Sequence, residues 1–349
     1  MKKLLGTFLL VLTPLFVQAQ SAQDELIHVD VKDMRLTVEG YGQANYNVTN
    51  TGGEETNKLE LSRFMLMLRA QVTPELMLFV MPDLASKTSE KFLHEYWGIY
   101  NFNPNLYVKV GQYKTPFSIE NEKSPTDMGN IYFHDGVGYM AGIFGDPTYG
   151  NLAGRDLGVT IGGSAFPAKD GHKQLGYSVS VFNGSGMNKT ENNTQKDYVL
   201  RLNYYPIKNL MISTSAYLGT GHALVDDPYG KFSAGSNFSR NRFSVGFEAK
   251  LAPLYLRSEY LRGWNAGTPS QCAYAEAWFH VFKKQNIDLI LDYEYFDKNI
   301  HLNDDANNYM AGVQWWFHKK CRISSLFQFK DSKYGEITRR WVTQLQLRF

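Results

Sequence analysis

Cysteine is nearly absent. Two residues, Cys272 and Cys321, in 349 cannot form a disulfide framework and do not show metal-ligand spacing. They fall on separate expected strands with opposite facing, which argues against a bond between them. Long hydrophobic runs are scarce as well. Beyond the first stretch of the chain nothing approaches the ~20 apolar residues of a spanning helix, and mean hydropathy is −0.35. Charge of one sign is lacking too: the formal net charge is +2, too small for a bulk attraction to nucleic acid, so no nucleic-acid partner is expected. Catalytic signatures are missing. Ser185, flanked by Gly184 and Gly186, lacks a strand–turn–helix setting. His94-Glu95 lacks the second histidine of a zinc helix, and Gly162-Gly163 opens no phosphate-binding helix. Asp226-Asp227 and Asp304-Asp305 lack the spaced oxygen ligands of a calcium loop. The chain is not expected to be an enzyme or to carry a cofactor or metal.

What is present begins at the amino terminus. Lys2-Lys3, an apolar core from Leu4 to Val17 and the small-residue site Val17-Gln18-Ala19 read as a secretory signal peptide over residues 1–19. Residues 20–34 are polar and read as a periplasmic lead-in. Residues 35–349 read as one unit. Aromatic residues make up 14 % of the chain, with 22 Tyr and 22 Phe. High aromatic content with low mean hydropathy in an exported chain suits a barrel whose strands are apolar on one side only.

Alternation with a period of two supports this. Ile287, Leu289, Leu291, Tyr293 and Tyr295 alternate with Asp288, Asp292 and Glu294. Phe243, Val245, Phe247 and Ala249 alternate with Arg242, Ser244, Glu248 and Lys250. About sixteen such strands can be read, an even number, as single-chain outer-membrane barrels have. The expected connections alternate between tight turns and longer polar loops at 47–57, 115–154, 185–195, 220–239, 264–270, 298–306 and 332–338. Tyr204-Tyr205, Trp315-Trp316-Phe317, Tyr217, Trp264 and Phe296 fall at strand ends, as interfacial girdles do. In lipid every backbone polar group must pair within the protein, so the sheet must close. The expected fold is all-β: a transmembrane antiparallel β-barrel of about sixteen strands. Strands 75–84 and 91–101 leave their inward face unassigned.

If apolar positions face lipid, Arg63, Arg69, Lys109, Arg201, Arg257, Glu259, Arg322, Arg340 and Arg348 line the interior, with further charges at Lys250, Lys330, Glu248, Glu276, Asp288, Asp292 and Glu294. A barrel this wide cannot be filled by its own side chains. The segment 115–154, too long and too apolar for a disordered loop, is the natural filler. Its candidate constriction residues are Lys114, Glu120, Glu122, Lys123, Asp127 and Arg155.

Val110-Gly111-Gln112-Tyr113-Lys114-Thr115-Pro116-Phe117-Ser118-Ile119-Glu120 resembles the strand-to-loop segment of the outer-membrane porins called phosphate-selective porin O and P. Arg155–Val159, Leu256–Tyr260 and the closing strand to Phe349 are similar to further strands of that family. The resemblance implies a sixteen-stranded homotrimer in the outer membrane of a Gram-negative bacterium, in contact with its lipid, whose third outside loop folds inward. It also implies passage of small hydrophilic solutes or ions, phosphate among them. The chain departs from the pattern in its loop, where Glu120, Glu122, Asp127, Asp135 and Asp146 stand against a single Lys123. An acidic constriction is therefore expected, and phosphate selectivity is not carried over. Two other readings stay open: a closed barrel acting as an adhesin or uptake-complex component, and a barrel hydrolase using a serine near His94, His134 or His280.

Overall fold

The structure is a computed structural model that describes residues 27–31, 34–148, 153–282 and 284–349. The expected signal peptide, residues 1–19, lies outside the described residues. Sixteen antiparallel strands form a closed ring. They are β2 (Met34–Thr51), β3 (Glu54–Gln71), β4 (Leu76–Pro82), β5 (Leu93–Asn103), β6 (Leu106–Lys114), β7 (Arg155–Pro167), β8 (Lys173–Phe182) and β9 (Asp197–Ile207), followed by β10 (Leu210–His222), β11 (Asn237–Leu251), β12 (Leu254–Asn265), β13 (Thr268–Phe282), β14 (Ile287–Asp297), β15 (Asp305–His318), β16 (Cys321–Ser332) and β17 (Thr338–Arg348). Each strand pairs with the next, and β17 pairs with β2 from Thr338↔Thr51 to Arg348↔Tyr41, which seals the ring. Where that pairing stops, a short strand β1 (Ile27–Val31) takes over the edge of β2, with Ile27 opposite Val38 and Val31 opposite Met34. The segment expected to be only a lead-in thus contains a strand that covers otherwise unpaired backbone groups.

Two expected loops turn out to be mostly strand. β2 and β3 continue to a two-residue turn at Gly52-Gly53, both with positive φ. β12 and β13 meet at Ala266-Gly267, also both at positive φ. Polar residues such as Asn47 and Lys58 can extend a strand beyond the apolar band, where water meets both faces. Alternation of hydropathy therefore stops before the strand does. The described residues contain no helix long and apolar enough to cross a membrane.

Facing is set by the pleat. Val110, Val159, Val181, Leu200, Val245, Leu289, Val313 and Leu345 are exposed on the outside. Their neighbours Tyr113, Thr160, Ser180, Arg201, Ser244, Ile290, Gln314 and Gln344 are buried on the inside. So large an exposed apolar surface would aggregate in water and is satisfied by lipid tails. A hollow of about 530 Å³ on this outer face arises where small outward residues, Ala275, Ala277 and Ala311, sit between Phe247, Leu291 and Phe327. Cys272 is buried inside, Cys321 is half-buried beside a turn, and both are free.

The two strands without a legible inward face have an apolar interior side. Phe79, Met81 and Trp97 face inward and pack with Tyr41, Met65 and Met67. Hydropathy is similar on both faces there, so it cannot mark which is which.

Candidate functional site

The segment between β6 and β7 is organised from its neck inward. Gly111 on β6 has φ of 135°, and a Cβ there would lie 2.3 Å from the Tyr96 carbonyl oxygen. Only glycine permits this approach of β6 to β5. At the neck the Thr115 N–H donates to the Gly154 carbonyl at 3.0 Å, and the Asn121 side chain donates to the Thr115 carbonyl at 2.9 Å. Ser118 then adopts a positive φ of 69°. Such a conformation persists only where the surroundings impose it. Here the Ser118 Oγ donates to Glu259 at 2.8 Å, its N–H donates to Ser215 Oγ at 3.2 Å, and its carbonyl accepts from Arg201 at 2.8 Å. The turn directs the chain onto the buried faces of β9 to β14.

The short helix α1 (Ile119–Glu122) begins there, with the Ile119 N–H donating to Glu259 at 2.9 Å. Farther along, the Asn130 N–H donates to Glu276 at 2.7 Å, and the Tyr132 hydroxyl donates to Asn47 at 2.6 Å. A second helix, α2 (Asp135–Ala141), ends at Gly142 in the left-handed conformation. Its Gly136 N–H donates to Glu294 at 2.8 Å. Val137, Met140 and Ile143 join Phe117, Tyr217, Leu261, Cys272 and Tyr274 in one apolar cluster. The large apolar residues of the segment thus pack on an apolar part of the inner wall, and Tyr217 and Phe296, expected in the interfacial girdles, belong to that packing instead, while Trp316 also faces inward, onto Asp288.

His134 is the centre of this attachment. Its Nδ1 lies 2.9 Å from Glu120 and its Nε2 lies 2.9 Å from Asp292. The ring stacks on Tyr274 with centroids 4.0 Å apart. A ring with a carboxyl group at each nitrogen is best satisfied as the imidazolium, which donates from both. Burial alone would lower its pKa, but Asp292 and Glu120 together raise it well above the ordinary value. Arg257 completes the group, paired with Glu276 and 3.8 Å from Glu120.

The acids of the segment do not form the expected acidic constriction. Glu120 is fully buried against His134, Asp146 is buried against Arg240 at 3.0 Å, and Asp135 meets Lys330 at 2.5 Å. Glu122 and Asp127 keep open surface but lie 3.1 Å from Arg201 and 3.5 Å from Arg348. Lys123 is paired with Glu248. The physical reason is complementarity: an acidic segment docks on the basic side chains of the wall, and most of its charge is spent on attachment.

Opposite this attachment a cavity of about 250 Å³ remains open. Tyr41, Met67, Phe79, Met81, Glu95, Lys109, Lys114 and Arg155 line it from the wall, and Glu122, Ser124 and Pro125 from the segment. Three cations face two carboxylates in that lining. The Lys109 Nζ sits 4.0 Å from the Trp97 ring and 4.1 Å from the Tyr113 ring, an arrangement that holds a cation in place without neutralising it. The Lys114 Nζ donates to the Lys123 carbonyl at 2.5 Å, and Arg155 pairs with Glu95 at 2.9 Å.

The remaining candidates lie around this centre. Arg63 donates to Gln43 at 2.9 Å and Arg69 meets Glu39 at 3.1 Å, both on β3. Arg322 donates to Gln314 at 2.8 Å, and Arg340 lies 5.0 Å from the Tyr132 ring. The structure thus brings Lys109, Lys114, Glu122 and Arg155 together, places Arg201, Arg257 and Glu259 under the segment, and leaves Arg63, Arg69, Arg340 and Arg348 spread along the wall. Sequence reasoning missed Arg240 and Glu95. Hydropathy alternation breaks before Arg240, because Phe238 is apolar on the inward face and Ser239 and Asn241 are polar on the outward one, whereas Glu95 lies on one of the two strands with an apolar inner face. His94, His134 and His280 each face a carboxylate, and among the described residues none hydrogen-bonds a serine.

A closed sixteen-stranded barrel with an apolar outside and a charged interior is the fold of outer-membrane porins. The likeness to solved structures agrees. The chain is similar to an anion-selective porin from Comamonas acidovorans, with TM-score 0.67, 12% identity and coverage of 91% of this chain and 100% of that one. It is similar to the outer membrane channel DcaP of Acinetobacter baumannii, with TM-score 0.63, 11% identity and coverage of 93% and 100%. It is also similar to OmpT of Vibrio cholerae in a trimer form, with TM-score 0.65, 14% identity and coverage of 90% and 99%. At these identities the likeness is one of fold. No family model and no curated protein matches the chain.

Proposed function

We propose that the chain forms a water-filled channel in the outer membrane of a Gram-negative bacterium, through which small hydrophilic solutes and ions diffuse passively. One observation carries this reading: the segment between β6 and β7 is bound to one side of the interior and leaves a charged cavity on the other. An aqueous path of that kind needs no energy coupling, and its charged lining sets ion preference. The lining holds three basic side chains, Lys109, Lys114 and Arg155, against two acidic ones, Glu95 and Glu122, a balance that favours anions, phosphate among them. The segment acts as the constriction. The trimer form of one structural neighbour supports a homotrimer here, its outer faces in contact with membrane lipid.

The test is reconstitution of the refolded full chain in planar lipid bilayers. Discrete conductance steps are expected, with a reversal potential of anion sign in a salt gradient. Absence of steps from a verified folded barrel contradicts the channel; a cation-sign potential contradicts the anion preference alone.

A further inference from the structure

Large aromatic rings that stay partly exposed on the wall of an aqueous interior leave apolar surface uncovered, so a group of them needs a reason. One such group lies at the short-turn end of β12 to β15. Tyr255, Trp278 and Trp316 are half-buried at inward positions; Trp278 packs on the cluster of Ile131, Ile290 and Leu326, while Tyr255 and Trp316 flank the open hollows. Tyr255 and Trp278 are cross-strand partners whose rings stack with centroids 4.3 Å apart. His280 and Asp288 are also cross-strand partners, 2.6 Å apart. Two hollows of about 400 and 390 Å³ open on this surface, and His280 and Asp288 line both. Each falls in the ~300–1,000 Å³ range of small-ligand sites.

Asp288 fixes the surface rather than offering free charge. It accepts from His280 Nδ1 at 2.6 Å, from Gln314 Nε2 at 2.6 Å and from Trp316 Nε1 at 3.2 Å. The rings and the imidazole are thereby held in place, and His280 Nε2 remains for a ligand. Of the nearby cations, Lys250 meets Glu248 at 3.3 Å, the Arg322 guanidinium lies 5.1 Å from the Trp316 ring, and Lys319 lines one hollow. An anion would compete with Glu248 for Lys250, and a cation would meet Lys250, Lys319 and Arg322 at like charge. A neutral molecule with an apolar face and a rim of hydroxyls would do neither, because C–H groups can cover a ring while hydroxyls reach His280 and Lys250.

We propose that this surface is a binding subsite for neutral saccharides inside the barrel, near its short turns. The proposal rests on the channel reading for its physiological use, but the binding itself does not. The experiment titrates the folded full chain in detergent with maltotriose and follows tryptophan fluorescence. A saturable change in the millimolar range is expected. Trp316→Ala and His280→Ala should each weaken it by about fivefold or more, and Trp316→Phe should recover part of the loss by restoring a ring. No saturable change, or an unchanged affinity in folded Trp316→Ala, overturns the proposal. Tighter binding of benzoate than of maltotriose overturns the choice of a neutral sugar. In bilayers, maltotriose added on the short-turn side should block current more than on the loop side. Saturable fluorescence with no conductance would strike the channel reading alone, and conductance without saturable fluorescence would strike this inference alone.

Discussion

Replacing His134 with glutamine removes the cation that joins the interior segment to β14. Glu120 and Asp292 then remain buried without the charge between them, since both approach the ring at 2.9 Å and both are buried. Breaking a buried ion pair by removing one partner costs roughly 3–5 kcal/mol, which shifts the attached-to-detached equilibrium roughly a hundredfold to several thousandfold. The segment keeps other anchors, at Ser118, Asn130, Asp135 and Asp146. The expected result is therefore a barrel that still folds, with current that flickers between two levels as the middle of the segment leaves the wall. The pH dependence has a definite sign. A group whose folded pKa is raised stabilises fully below the ordinary imidazole value, and its contribution is lost as pH rises through the raised value. Because His134 is held well above that value, the wild-type channel should be quiet at neutral pH and become noisy only under alkaline conditions. His134→Gln should be noisy throughout. Single-channel recording at several pH values reads both effects. A variant as quiet as wild type, with equal thermal stability, would refute the role given to His134.

Two further outcomes follow from the geometry. Gly111→Ala forces a Cβ to within 2.3 Å of the Tyr96 carbonyl at a positive φ of 135°, at a cost of about 2 kcal/mol or more; the fraction of barrel that resists denaturation by detergent and heat should fall, and normal yield and stability would count against the neck geometry. Lys109→Gln removes one basic group from the cavity lining; a unit charge about 6 Å from a passing ion in water is worth about 0.7 kcal/mol, with opposite sign for anion and cation, so the anion-to-cation permeability ratio should fall by up to roughly tenfold in a reversal-potential measurement.

The barrel was legible because its rule is local. Wherever lipid lies outside and water or polar packing inside, as at Phe243–Lys250 or Ile287–Tyr295, alternation reports facing directly. It failed on β4 and β5, where Phe79, Met81 and Trp97 make the inner face apolar, and at Gly52-Gly53, where strands outrun the apolar band. The neck motif was legible for a different reason. Gly111, Thr115 and Ser118 each occupy a position that few other residues could fill. The charge of the constriction was not legible. Composition counts five acids in the segment, but which of them face the open space depends on non-local partners. Glu120 finds Arg257 and His134, and Asp146 finds Arg240, pairs that no spacing along the chain reveals.

The central claim is that the segment between β6 and β7 narrows an otherwise open aqueous path, and Ser124 tests it because that residue borders the remaining cavity. In a Ser124→Cys, Cys321→Ser chain the other cysteine, Cys272, is fully buried. A bulky water-soluble thiol reagent applied during single-channel recording should lower the conductance in discrete steps, with no such response in the Cys321→Ser parent. Labelling at position 124 confirmed by mass, with conductance unchanged, would contradict the account.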